Sequence, residues 1–306
     1  MAGAIKKARK ESDCGLLVVD SGRIFPKTGS KVSKNGALAF NVMGQIGYDA
    51  IGLAETDIAL GFNVMEKTLK SSPDFPVVIS NVVNKGGLNP PFGKRYIVLE
   101  KNGIKVAVMS VVPDVDLEGL PDSSSSVSSL AVISPLTAVE GLIKEVKEKA
   151  DLVLLLSQLD QDQTFSLLRE IKDIPMIAVL GRPLGRLPRK LPNDLAKRFI
   201  WSSPKGNIIR KVKLSLDRDG KISSFETEAV RLNKSVEEDP VIARLVREEV
   251  LARDEIKRKE LQERQKKILS MTPEEYMQYL AKQGHQKGPV SLPVVSRKNK
   301  SGCGSN

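Results

Sequence analysis

The sequence predicts an α/β fold, a mixed-sheet sandwich with helices on the outside. Three observations carry that expectation. Short apolar runs of strand length, at 16–20, 49–53, 76–79, 152–156 and 176–180, alternate with helical patterns through the first part of the chain. Hairpin signals take over later, with Asn102-Gly103 and then Asp217-Arg218-Asp219-Gly220 each set between two apolar runs. From Asp239 the pattern changes to one long, heavily charged helix.

In chain order, residues 4–11 read as a charged helix and 16–20 as an apolar strand ending on the carboxylate of Asp20, with Ser21-Gly22 turning the chain. The next helix is 34–46. Val42, Met43 and Ile46 give it an apolar face, and Gly47 stands where a C-cap glycine belongs. Residues 49–53 form a buried strand. A polar turn follows, Ala54-Glu55-Thr56-Asp57, and then a helix over 62–70. A turn at the carboxyl end of a strand is where open α/β sheets place their sites. Residues 96–100 and 105–112 form a hairpin, 123–129 a serine-rich loop, and 135–149 a helix with Leu136, Val139, Leu142, Ile143 and Val146 on one face. A helix over 164–171 leads to the strand 176–180, and a Pro- and basic-rich loop covers 182–192. Strands are expected at 199–201, 208–216 and 222–230.

The helix over 240–268 carries a thin apolar line, with Ile242, Val246, Val250 and Leu261 on it, and i,i+4 pairs such as Glu255–Lys259. Thr272-Pro273-Glu274-Glu275 is a capping box with proline at the first helical position, opening a helix through Lys282. The Gly-, Pro-, Ser- and Lys-rich residues 284–306 read as a disordered tail. Three segments result: a domain over 1–238, a charged helical extension over 239–283, and the tail.

The 306 residues carry a net charge of +11, most of it at the two ends: Lys6, Lys7, Arg9 and Lys10 at one, Lys287, Arg297, Lys298 and Lys300 at the other. Terminal charge of this kind solubilises, and with aromatics at only 4% base-stacking platforms are few, so specific nucleic-acid binding is not expected. No apolar run approaches the roughly 18 residues of a membrane span, and the first residues lack the apolar core of a signal peptide. The cysteines, Cys14 and Cys303, form no CxxC pair. Cys303 in Ser-Gly-Cys-Gly-Ser is a candidate exposed thiol for a redox or tethering role.

Gly47-Tyr48-Asp49-Ala50 and the turn after it, with 4–11, 16–25, 76–83, 102–108, 151–159, 176–184 and 206–233 in the same order, resemble the 5′-nucleotidase / UDP-sugar hydrolase branch of the calcineurin-like metallophosphoesterases. The resemblance spans roughly residues 4–240. It implies a four-layer αββα sandwich followed by a long C-terminal helix. The family's first strand, with its D-x-H, would precede Ala4 and has no counterpart in these residues. Its members are usually exported, so the resemblance leaves localisation open.

The resemblance also implies a two-metal site, and the residues at its ligand positions depart from it. The bridging aspartate falls on Arg23, with the structural aspartate before it kept as Asp20. The metal-binding asparagine falls on Glu55 and the transition-state histidine on Thr56. Further metal histidines fall on Gln158, Arg182 and Leu184. The one histidine in the chain is His285. Guanidinium neither gives up its proton nor coordinates a metal. The expectation is therefore a protein with no metal cofactor and no intact catalytic set, with Glu55, Thr56 and Asp57 as relict positions. Arg23 and Arg182 would stand beside Glu55 and Asp57 either paired to them, or holding phosphate, sulfate or a nucleotide, or as solvated loop residues of a relict cleft. The alternative is a divalent-metal-dependent phosphoesterase or 5′-nucleotidase acting on nucleotides or nucleotide sugars. Residues 240–283 are the candidate surface for a protein partner.

Overall fold

The computed structural model describes residues 1–12, 15–25, 29–71, 75–121, 123–182, 195, 197–201 and 206–283, with backbone alone for 29–37, 71 and 281–283. The chain divides into two compact units, Met1–Glu248 and Glu249–Asn306.

In the first unit, β1 (Val19–Asp20), β2 (Ala50–Gly52) and β3 (Val77–Val78) form a parallel sheet in that order. Helices α2 (Gly29–Ile46) and α3 (Glu55–Ser71) supply its outer cover. Phe40, Met43, Ile58 and Met65 from these helices pack with Ile51 and Val77. A second sheet runs in the order β10 (Phe199–Trp201), β9 (Met176–Leu180), β8 (Leu152–Ser157), β6 (Ile104–Val111), β5 (Tyr96–Lys101), all parallel except β5. Strand periodicity splits the residues of β6 and β8 between two cores. Ala107, Met109, Val153 and Leu155 face α4 (Pro135–Val146) and α5 (Gln161–Glu170), where Val139, Leu142 and Leu168 meet them. Val106, Val108, Leu152 and Leu156 face inward to Ala50 and Val78 of the first sheet. Each Val, Leu, Ile or Met among them, fully buried, contributes about 1.5–3 kcal/mol. The layering is αββα, as the resemblance implies.

A short antiparallel pair joins β4 (Val82–Asn84) to β7 (Leu130–Val132), and a hairpin joins β11 (Ile208–Leu216) to β12 (Ile222–Arg231). The β5–β6 turn holds Asn102 at φ 52° and Gly103 at φ 76°, the two left-handed residues of a type I′ turn, as the Asn-Gly pair predicts. Helix α1 (Ala2–Glu11) buries Ile5 against Val18 and Ile46, and its Arg9 donates to the carbonyls of Ile46 and Gly47 at the end of α2.

Three local expectations need correction. The strand expected at 16–20 is paired only at Val19–Asp20, because Val18 N–H donates to the Asp49 side chain (2.8 Å) instead of a neighbouring strand. The turn expected at 54–57 is the first turn of α3, which begins at Glu55 rather than near Phe62. The serine-rich loop contains a 3-10 turn, Ser125–Ser129, entered through Ser124, whose side chain accepts from Ser126 N–H.

Helix α6 (Pro240–Leu269) begins in the first unit. There Asp239 caps it through Val241 and Ile242 N–H and pairs with Lys6 at 3.0 Å. None of its residues is buried. In the second unit Glu255–Lys259 close to 3.1 Å, and α7 (Pro273–Gln283) opens with the expected capping box. Thr272 N–H donates to Glu275, and Glu275 N–H donates back to the Thr272 hydroxyl. Arg264 of α6 donates to the Tyr279 hydroxyl of α7 at 2.9 Å.

Candidate functional site

Four parallel strands, β1 and β2 in one sheet and β8 and β9 in the other, release their chains at their carboxyl ends. Residues 21–23 follow β1, 53–55 follow β2, Gln158 follows β8, and Gly181-Arg182 follows β9. The sandwich therefore brings together Arg23, Glu55, Gln158 and Arg182, four positions far apart in sequence.

The floor of this cluster is built on Asp57. It is the third residue of α3 and reaches back to the N–H of Ala54 (2.9 Å), as an acidic residue in a first helical turn does. Its two oxygens also accept from Arg23 N–H (2.6 Å) and Phe25 N–H (3.0 Å), tying the loop after β1 to the helix after β2. Asp57 is 1% exposed. Burial pushes its carboxyl up, and the backbone N–H groups pull it back down. Asp20 is pushed up to about 6, chiefly by burial, with Gly22 N–H opposing and the Asp57 charge adding. Gly22 lies at φ 108°, and a Cβ there would sit 2.7 Å from Ala54 N, so only glycine lets the two loops approach. Arg23 follows at φ 65°, a left-handed conformation that a side-chain-bearing residue holds only when its surroundings enforce it.

Gln158 completes the floor. It is fully buried, donates through Nε2 to the Ser21 carbonyl, and accepts from Arg23 Nε at 3.2 Å. Gly181 fits against it: a Cβ would overlap Gln158 Nε2 and stand 2.8 Å from Ser21 Oγ.

The mouth is made of Glu55, Arg182 and Arg23. Arg182 Nη2 lies 2.6 Å from Glu55 Oε1, and Arg23 Nη2 lies 3.6 Å from the same oxygen. The Glu55 side chain is 7% exposed, while those of Arg182 and Arg23 are 29% and 35% exposed. Glu55 Oε2 and Arg182 Nε are both buried and have no hydrogen-bond partner among the described residues. Two guanidinium groups thus share one oxygen of one carboxylate at the N-terminus of α3, which leaves these three side chains one positive charge in excess.

The structure brings Arg23, Arg182 and Glu55 together, and Asp57 takes a different part. Its oxygens go to backbone N–H groups. Thr56 is partly exposed on the first turn of α3. Leu184 and Cys303 lie outside the described residues. Among the described residues no group of three or more His, Cys, Asp or Glu is placed to hold a metal ion. Sequence reasoning missed Gln158 and Gly181 as a bridge between the two sheets. A glycine directly after an apolar strand was the available signal, and it reads equally well as a turn.

Two clefts lie apart from this cluster. One, of about 520 Å³, runs beside β5 and is lined by Tyr48, Asp49 and Lys94 among others. The other, of about 300 Å³, lies between α1 and Asp239. Charged groups in both already hold the fold: Asp49 accepts from Val18 N–H and pairs with Lys101 at 3.4 Å, and Lys6 pairs with Asp239.

No family model matches the sequence, and no curated protein does. Solved structures do match the fold. A 5′-nucleotidase precursor from Thermus thermophilus superposes with a TM-score of 0.68 at 18% identity, over 82% of this chain and 52% of that one. The sulfate thiohydrolase SoxB of the same organism, in complex with glycerol, gives 0.69 at 16% identity, over 83% and 46%. The NAD nucleotidase NadN of Haemophilus influenzae gives 0.61 at 14% identity, over 83% and 54%. The chain spans about half the length of the structures it matches. Its fold is the one shared by these 5′-nucleotidase, SoxB and NadN structures. No helix among the described residues is long and apolar enough to cross a membrane.

Proposed function

We propose that this chain, with its 5′-nucleotidase fold, works without a metal centre as a catalytically degenerate binding module for a phosphate-like oxyanion. The observation that carries the reading is the Arg182–Glu55 contact at 2.6 Å with Arg23 at 3.6 Å from the same oxygen. A dinuclear site needs several carboxylate or imidazole donors converging on each ion. Here the converging groups are two guanidiniums, one carboxamide and one carboxylate. Guanidinium offers no lone pair, and its fixed charge repels a cation. The amide of Gln158 is spent on Ser21 and Arg23. This donor set does not fit a pair of divalent ions.

It does suit an anion. Two guanidiniums 29% and 35% exposed line the mouth, one carboxylate cancels part of their charge, and the N-terminal dipole of α3 points the same way. The fold's neighbours include proteins described as nucleotidases and as a sulfate thiohydrolase, so phosphate, sulfate and the phosphates of a nucleotide are the candidates.

The rival reading is a metal-dependent phosphoesterase, and the likeness to the nucleotidases is what favours it. Two measurements separate the readings: metal content after dialysis against manganese and zinc, and hydrolysis of nitrophenyl phosphate in the same samples. The degenerate module retains no stoichiometric metal and shows no metal-dependent turnover. About two manganese per chain with matching turnover would overturn it.

A further inference from the structure

We infer that the mouth selects an oxyanion that carries its own O–H, inorganic hydrogen phosphate rather than sulfate, and that Glu55 makes the selection. The inference rests on the anion-binding reading above and narrows it.

The argument starts from the half-made ion pair. Arg182 could meet Glu55 side-on, with Nη2 on one oxygen and Nε on the other. Only the first contact exists, at 2.6 Å. Arg182 Nε and Glu55 Oε2 are left buried and, among the described residues, unpartnered. Buried polar atoms of charged groups seldom stay unsatisfied, because each forfeits its hydration. The two orphans have opposite requirements. Arg182 Nε is a donor and needs an acceptor. Glu55 Oε2 is acceptor-only and needs a donor. Arg23, its side chain 35% exposed and its Nη2 3.6 Å from Glu55 Oε1, adds a second cation.

A ligand that answers both must place an anionic oxygen against Arg182 and a hydroxyl against Glu55. Hydrogen phosphate does so with neighbouring oxygens on one phosphorus. Near neutral pH both of its prevalent forms keep at least one P–O–H. Sulfate has no proton to give, so one of its oxygens would face the lone pairs of Glu55 Oε2. A phosphate monoester as its dianion has the same defect. The excess of one positive charge at the mouth also matches a monoanion.

The test is calorimetric titration of the full chain at pH 7 and constant ionic strength with sodium phosphate and, separately, sodium sulfate. Phosphate is expected to bind about tenfold or more tightly than sulfate, the scale of one hydrogen bond to a charged group. In Glu55→Gln the amide offers a donor as well as an acceptor, so the preference should fall to about twofold or less. Methyl phosphate at about pH 8, where its second proton is lost, gives a check on the unmodified protein. It should bind as weakly as sulfate does, which keeps the proposal testable if the variant fails to fold.

Equal binding of phosphate and sulfate would overturn the selection while leaving an anion site in place. So would an unchanged preference in Glu55→Gln, or methyl phosphate matching inorganic phosphate. Binding of neither ion would overturn the anion site itself, with Arg182 closing side-on onto Glu55 and satisfying both atoms without a ligand.

Discussion

Asp57 and Glu55 stand two residues apart on the first turn of α3, and the protein treats them in opposite ways. Asp57, in the floor, spends its oxygens on three backbone N–H groups from two loops. Glu55, in the mouth, offers one oxygen to two guanidiniums and leaves the other without a partner among the described residues. The floor carboxylate is bound to backbone, which every residue has, so its arrangement survives changes of side chain around it. The mouth carboxylate is bound to side chains, so its chemistry changes with each substitution at Arg23 or Arg182. A frame of this kind stays in place whichever side chains its mouth displays.

The sharpest way to break the contrast is at Asp57. Asp57→Ala strands three N–H donors and unties residues 23–25 from α3, with an expected loss of about 3–5 kcal/mol in urea denaturation. A loss below about 1 kcal/mol would mean that the floor is not held by this carboxylate. Gly181→Ala is next. The added Cβ overlaps Gln158 and crowds Ser21 Oγ, and the expected cost is about 1–3 kcal/mol by the same measurement.

The mouth should be softer. Arg182→Met removes one partner of a buried carboxylate, but the arginine side chain is 29% exposed and water can follow. The expected loss is about 1–2 kcal/mol, with anion binding abolished. A loss as large as that of Asp57→Ala would erase the distinction between floor and mouth.

A further effect lies in pH. Asp20 rises from its usual 3.8 to about 6 in the fold. Between those values the folded chain keeps a proton that the unfolded chain has lost. Stability from this group is therefore full below pH 3.8, falls as the pH rises toward about 6, and is flat above. Asp20→Asn should remove that descending limb, so the variant gains on the parent as pH rises through the window. Parallel stability curves for the two proteins would show that Asp20 is not perturbed.

Much of the fold was legible because its signals are local. Asn102-Gly103 marks a hairpin through backbone conformation alone, and Thr272-Pro273-Glu274-Glu275 closes its capping box within four residues. The start of α3 was not legible. Its N-cap is Ala54, not a serine or aspartate, and Gly61 lies inside the helix. That glycine is there because the ring of Phe25 occupies the space its Cβ would fill, a contact between segments far apart in sequence. The meeting of Arg23 with Arg182 was legible only through the resemblance, since no spacing rule links those positions. The bonds of Asp57 to the backbone of residues 23–25, and the fit of Gly181 to Gln158, depend on loops folding onto each other and leave no pattern in the chain.

Arg23 holds a backbone conformation that glycine would adopt without strain, and it contributes its guanidinium at the same point. At this one residue backbone ease and side-chain charge pull apart: glycine there relaxes the loop and discards a cation. A lineage screened for heat resistance alone would drift toward glycine and give up the guanidinium, whereas one screened for the proposed anion binding would keep the arginine and tolerate a less robust scaffold.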